Sequence, residues 1–324
     1  MPVSGSFQAH ATRYVGPATG FMVGWVYWLS WATTVGLEFT AAGMLMDRWF
    51  PDVPVAYWSA LFVALLFGIN SLSTRAFGEA EYWFSGVKVA AILIFIVVGI
   101  LAIFGGLPLA NGEPAPKFSN LIGDSLFPNG ISAVLAVMMT VVYAFQGCEI
   151  MGLTAILSVG NSGLYASTRI LWAMSRTGMA PRSLGNVSKR GVPLNALSVT
   201  LCFALLSLLT SFIAADTLFM ILTAISGLAG TVTWIVIALA QYRFRREHYK
   251  AGGSVQDLKY AAPLFPLIPI ACILLCCSLF VFLALDPTQR PSLYWGFGFI
   301  ALCYGAYYVL QFKRQRRPEV APAL

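Results

Sequence analysis

The stretch YAFQGCEIMGLTAILSVGNSGLYAST runs from Tyr143 to Thr168 and carries one formal charge, Glu149. Apolar and small residues extend on both sides of it, from about Gly130 to Ser175. A helix of about 46 residues would measure roughly 69 Å, more than twice the hydrocarbon core of a bilayer. Its length asks for two crossings. A carboxylate in the middle of such a run is costly and needs a reason.

The rest of the chain has the same character. Of 324 residues 58% are hydrophobic and 10% charged, and the mean hydropathy is +0.76. Soluble domains carry about 25% charged residues, so this is an integral membrane protein of the all-α class, a polytopic transmembrane helical bundle. No ten-residue alternation of the β-barrel kind is present. Apolar runs fall at about 18–46, 53–72, 83–107, 130–175, 194–214, 217–240, 263–285 and 292–311. Turn-forming connections such as RWFPDVP, LANGEPAPKFSN and LDPTQRP separate them.

The net charge of +7 does not point to nucleic acid, because the basic residues occupy short loops. Arg176, Arg182, Lys189 and Arg190 form one group, Arg243, Arg245, Arg246 and Lys250 a second, and Lys313, Arg314, Arg316 and Arg317 a third. The connections around Asp216 and Asp286 hold almost none, Arg290 excepted. The three basic groups are expected on the cytoplasmic side, with the C-terminus. Arg75 and Lys88 put their connection on the same side, and Asn129 then lies outside. From Asn129 to Arg176 the charges demand an odd number of crossings, against the two that length suggests.

The six cysteines, Cys148, Cys202, Cys272, Cys276, Cys277 and Cys303, all sit in apolar runs, and the only histidines are His10 and His248. No zinc spacing is present, so neither metal nor cofactor is expected. The sequence shows no nucleophile elbow and no HExxH, so no enzyme is expected. The N-terminal MPVSGSFQAHATRY has no signal-peptide pattern.

Several longer strings carry a resemblance: MPVSGSF, GPATGFMVGWVYWLSW, FGEAEYWFSGVKV, YAFQGCEIMG, LTAILSVGNSGLYASTRILWAMSR and GVPLNALSV. They resemble the bacterial amino acid permeases of the amino acid/polyamine/organocation superfamily. TAAGMLMDRWFPDVP, DPTQR and ALCYGAYY look most like the S-methylmethionine permease branch. The resemblance covers nearly the whole chain. It implies a single, partial permease domain of the inverted-repeat (LeuT-like) fold, a proton-coupled amino acid symporter working by alternating access in the bacterial inner membrane. Its partners would be an amino acid, protons and the lipid bilayer; oligomeric state is not implied.

The departures from the family pattern are as informative. MPVSGSF follows the second helix in the family and stands first here, so the first two helices are expected to be missing. MGLTA runs directly into ILSVGNSG, which implies an internal deletion near 152–156 that fuses the sixth family helix to the eighth and removes the reversing helix between them. Such a fusion resolves the parity conflict, and a break is expected near Gly147 or at Gly160–Gly163. Activity of the shortened form is doubtful on this reading, and the alternative is a non-transporting remnant or a membrane interaction protein.

Carried over residue by residue, the resemblance places Trp25, Tyr27, Phe145, Gly147, Glu149, Asn161 and Ser162 near the substrate, and makes Lys88 and Glu149 proton-coupling groups. Each has a plainer reading. Lys88 could snorkel to the interface, the aromatic residues could be packing, and Glu149 could be satisfied by a neighbouring helix. Glu38, in VGLEFTAAG, is either a structural hydrogen-bonding group or functional.

Single cysteines placed at Arg182 and at Lys313 are expected to react with membrane-impermeant thiol reagents only from the cytoplasmic face. Labelling of either from outside overturns the topology.

Overall fold

The computed structural model describes residues 3, 5–105, 149–213, 220–258, 260–287 and 290–315. They form helices and connecting turns with no strand among them. In chain order the helices are α1 (Ser6–Tyr14), α2 (Pro17–Asp47), α3 (Val55–Leu72), α4 (Thr74–Phe104), α5 (Glu149–Arg176), α6 (Leu194–Ile213), α7 (Met220–Lys250), α8 (Leu267–Leu285) and α9 (Arg290–Gln315). Short 3-10 turns lie at Arg182–Gly185 and Val255–Asp257. Among the described residues, five helical stretches are long and apolar enough to cross a bilayer: Val55–Leu72, Thr74–Phe104, Ile221–Lys250, Leu267–Leu285 and Arg290–Lys313.

The centre of the bundle is α2, which packs against α1, α3, α5, α6, α7 and α9. Its sequence explains why. Pro17 starts it, where a missing N–H costs nothing, and small residues then recur among the aromatic ones. A Cβ on Gly24 would stand 2.5 Å from Met174 Sδ of α5, one on Gly36 2.5 Å from the Ala204 carbonyl of α6, and one on Gly43 2.8 Å from the Val55 carbonyl of α3. Small residues that let backbones approach are the normal means of packing helices in lipid. Hydroxyls add stitches: Trp28 Nε1 donates to Thr200 Oγ1 at 3.0 Å, and Ser30 and Thr34 both meet Ser226.

Helix α5 lies antiparallel to α2. Gly24 faces Met174, Trp31 faces Gly163, and Glu38 faces Gly160. The helix runs unbroken through Gly160–Asn161–Ser162–Gly163, so the expected break is not at that site. The reason is packing: a Cβ on Gly163 would stand 2.6 Å from the Trp31 ring, and one on Gly160 would stand 3.2 Å from Leu66. These glycines admit neighbours and leave the hydrogen-bond ladder intact. The alternative break at Gly147 lies outside the described residues. With 28 residues, α5 is about 42 Å long, enough for one crossing.

The basic connections converge on one end of the bundle. Trp25, near the start of α2, donates to the Met179 carbonyl just beyond α5 at 3.3 Å. Arg243, near the end of α7, donates to the Val15 carbonyl at the end of α1 at 3.2 Å. Thr19 of α2 meets Tyr304 of α9 at 3.0 Å. The opposite sides of α4 and α8 face outward: Ile92–Phe104 and Leu267–Leu285 are largely exposed apolar surface, as spans in contact with lipid must be.

Gly36→Ala is expected to destabilise the protein by about 1–3 kcal/mol, because the Ala204 carbonyl it meets is backbone and cannot rotate away. Gly68→Ala, with nothing within 4 Å, is expected to be neutral or stabilising by up to about 1 kcal/mol. Thermal melts in detergent compare the two; equal effects contradict this packing.

Candidate functional site, a polar chain between two helices

Helix α4 buries one residue, Ala91. Its hold on the bundle comes from a narrow stripe, Phe77, Glu81, Phe84, Lys88 and Ala91, spaced alternately four and three residues apart. That spacing keeps side chains on one helix face. The facing stripe on α5 is Ser158, Asn161 and Tyr165. The pairing is antiparallel: Phe77 stacks on Tyr165, ring centroids 4.0 Å apart, while Lys88, further along, meets Ser158.

Between these ends runs a hydrogen-bonded chain. Lys88 Nζ donates to Ser158 Oγ at 2.6 Å, and Ser158 Oγ donates to Glu81 Oε1 at 2.5 Å. The second oxygen, Glu81 Oε2, accepts from Asn161 Nδ2 at 3.2 Å, and Ser162 lies beside the same carboxylate. Asn161 Oδ1 accepts from Asn70 Nδ2 of α3 at 2.7 Å, and Asn70 also donates to the Leu66 carbonyl. Lys88 and Glu81 stand 3.8 Å apart as an ion pair. Asn161 and Ser158 are fully buried, while the Lys88 and Glu81 side chains keep 31% and 25% exposure.

The chain is well satisfied for a place so near lipid. Tyr82 and Trp83 are exposed on α4, as interfacial aromatic residues are, and Lys88 lies five residues deeper, about 8 Å. Its ammonium donates to Ser158 of α5 at 2.6 Å and lies 3.8 Å from Glu81, which sits beside that belt. A cation and a carboxylate joined through a hydroxyl can exchange a proton along existing hydrogen bonds, and either charge left alone there would be expensive.

Of the residues singled out from sequence, Lys88, Asn161 and Ser162 come together here. Trp25 and Tyr27 lie elsewhere, in an aromatic group on α2: Trp25 against Phe21 and Trp28, Tyr27 against Phe7 and Trp31. Phe145 and Gly147 lie outside the described residues, and of Glu149 only its place as the first residue of α5 is described. Glu38 is half-buried and has no hydrogen bond to another described residue. Glu81, Ser158 and Asn70 were missed by sequence reasoning. The four–three spacing around Lys88 contains the signal for Glu81, since a carboxylate two turns before a lysine on the same helix shares its face. A crevice beside the chain, lined by Asn70, Phe77, Tyr165 and Arg169 among others, holds about 10 Å³, room for one water and not for an amino acid. Nothing among the described residues groups three or more potential metal ligands.

The amino acid permease family model matches this chain in two segments, residues 1–155 and 151–318. The chain belongs to the amino acid permease family. It is 40% identical to the amino-acid permease RocE of Bacillus subtilis (strain 168), over 97% of this chain and 83% of that protein. It is 40% identical to a putative histidine permease of the same organism, over 97% and 81%. The lysine-specific permease LysP of Escherichia coli (strain K12) is 34% identical, over 91% and 76%. Family membership and the apolar spans together make this a multi-pass membrane protein of amino acid transport.

Proposed function

We propose that the chain is a proton-coupled amino acid permease, a symporter of the inner membrane, in which Lys88 is the coupling cation. The observation that carries this is the Lys88–Ser158–Glu81 chain, an ammonium turned into the bundle and linked by one hydroxyl to a carboxylate. Protonated, Lys88 ties α4 to α5 through Ser158, whose hydroxyl it shares with Glu81 of its own helix. Deprotonated, it leaves the carboxylate to Asn161 and Ser162 and loosens that tie, which is what a gate coupled to proton release requires. The family resemblance implies Asn161 and Ser162 as substrate-binding groups, with Glu149, Gly147, Phe145, Trp25 and Tyr27 completing the set, and Glu149 as a second proton acceptor. Relatives named for lysine and histidine, and the resemblance to S-methylmethionine permeases, favour an amino acid with a cationic or nitrogenous side chain.

A second reading, a non-transporting remnant, has its own support. The two family matches overlap at residues 151–155. The alignment with RocE runs over 386 residues while taking in 97% of a 324-residue chain, so about 70 aligned positions of the relative have no counterpart here. Both observations favour the internal deletion inferred near 152–156.

Reconstituted in vesicles with an imposed pH gradient, the chain is expected to accumulate a cationic amino acid. Lys88→Ala is expected to abolish gradient-driven accumulation, with substrate exchange retained and the protein still melting cooperatively. Accumulation with unchanged pH dependence in that variant overturns Lys88 as the coupling group. Neither accumulation nor exchange by the unaltered chain, restored by inserting the relative's missing segment, establishes the remnant reading.

A further inference from the structure

At the basic end of the bundle, the last turns of α7 and the loop leading into α8 border an open cavity of about 520 Å³. Tyr242, Arg246, Tyr249 and Lys250 line it from α7, and Phe265 and Pro266 from the loop. The four α7 residues recur at helical spacing and so share one face. Arg246 and Lys250 are exposed, and neither has an ion-pair partner among the described residues.

Behind this wall lies a third cation. Arg245 is 4% exposed. Its Nη1 donates to the Ala262 carbonyl at 3.0 Å, and its Nε and Nη2 donate to Tyr249 Oη at 3.2 and 2.5 Å. The guanidinium carbon lies 4.7 Å from the centre of the Phe265 ring, which itself lines the cavity. Hydrogen bonds and rings satisfy its geometry, yet no described carboxylate offsets its charge. A buried charge without a counter-ion is costly, so an anion close to this wall is favoured three times over.

The carboxylates nearby do not meet the need. Asp257 is held by the Ser254 amide at 2.6 Å and faces His248 at 3.9 Å. Glu247 follows Arg246 in sequence, is exposed, and is absent from the cavity lining. The loop is also held in shape, since His248 Nε2 meets the Ser254 carbonyl at 2.9 Å and Phe265 stacks on Tyr242 with centroids 5.7 Å apart.

The surroundings identify the kind of anion. Leu264 precedes the Phe265–Pro266 pair, Leu267 and Ile268 follow it, and all three are exposed, at the start of a span that is almost wholly unburied. A ligand in the cavity is therefore cationic-walled on one side and meets lipid-facing apolar surface on the other. A phosphodiester with acyl chains fits both; a soluble phosphate uses only the first.

We propose that the cavity between the end of α7 and the Phe265–Pro266 loop is a headgroup site for an anionic phospholipid, its phosphate held by Arg246 and Lys250 over the Arg245-backed aromatic wall. The site fastens the α7–α8 connection to the membrane surface, whichever substrate the permease carries.

The test uses the full chain reconstituted in phosphatidylcholine membranes with trace spin-labelled phosphatidylglycerol or spin-labelled phosphatidylcholine. The immobilised fraction is expected to favour phosphatidylglycerol by at least about fivefold, the ratio one cation near an anionic surface supplies. Arg246→Gln with Lys250→Gln is expected to remove that preference. The charge-keeping pair Arg246→Lys with Lys250→Arg should largely keep it, and Arg182→Gln with Lys189→Gln, in another basic connection, should leave it unchanged. A preference that survives the first pair, or is lost equally in the second connection, overturns the site. Displacement of the labelled lipid by millimolar inorganic phosphate would identify a soluble anion as the ligand and overturn the lipid assignment.

Discussion

A helix that meets its bundle along one stripe can be no better fixed than the contacts in that stripe, and in α4 the middle of the stripe is charged. Lys88 lies inside the apolar run of α4 and Glu81 at its polar edge. An unpaired charge so close to lipid is costly, because lipid supplies no counter-ion and no hydrogen bonds. The paired arrangement makes Ser158, Asn161 and Asn70 necessary: a hydroxyl between the charges, an amide on the second carboxylate oxygen, and a further amide to orient the first. The chain of partners reaches three helices and joins α4 and α3 to α5.

The rest of the bundle supplies a rigid frame for this one soft attachment. Helix α2 is buried on nearly every side, with glycines where neighbouring backbones come close and hydroxyls where they separate. Phe39, Leu66, Leu164 and Leu197 are all but inaccessible in one core. A well-packed hub holds α5 in place, while α4, apolar on its outer side and polar on its inner stripe, is attached through the hydrogen-bonded Lys88–Ser158–Glu81 chain.

Much of the architecture was legible in the sequence, for physical reasons. Membrane spans are selected by length and apolarity, so the helical class and the crowding of arginine at one end were readable from composition and loop charge. The start of α4 was not, because Thr74–Glu81 is polar and hydropathy responds only to the part in lipid; for the same reason the basic last turns of α7 continue the helix to Lys250. Gly160–Gly163 suggested a break because glycine weakens helices, but Trp31 and Leu66 fill the space those glycines leave. Lys88, Asn161 and Ser162 were found because a charge or an amide inside an apolar run stands out. Glu81 was hidden at the polar edge of its run, and Ser158 among ordinary small residues. Only their three-dimensional partners identify them.

The account depends on Glu81 and Lys88 acting as one unit, and a double-mutant cycle on thermal stability measures that most directly. Glu81→Gln and Lys88→Met should each destabilise, since each leaves the other charge alone in the membrane. The double variant should be markedly less destabilised than the sum, with a coupling of about 0.5–3 kcal/mol. Strictly additive losses would mean that the two residues do not sense each other, and would contradict the charged pair on which the polar chain is built.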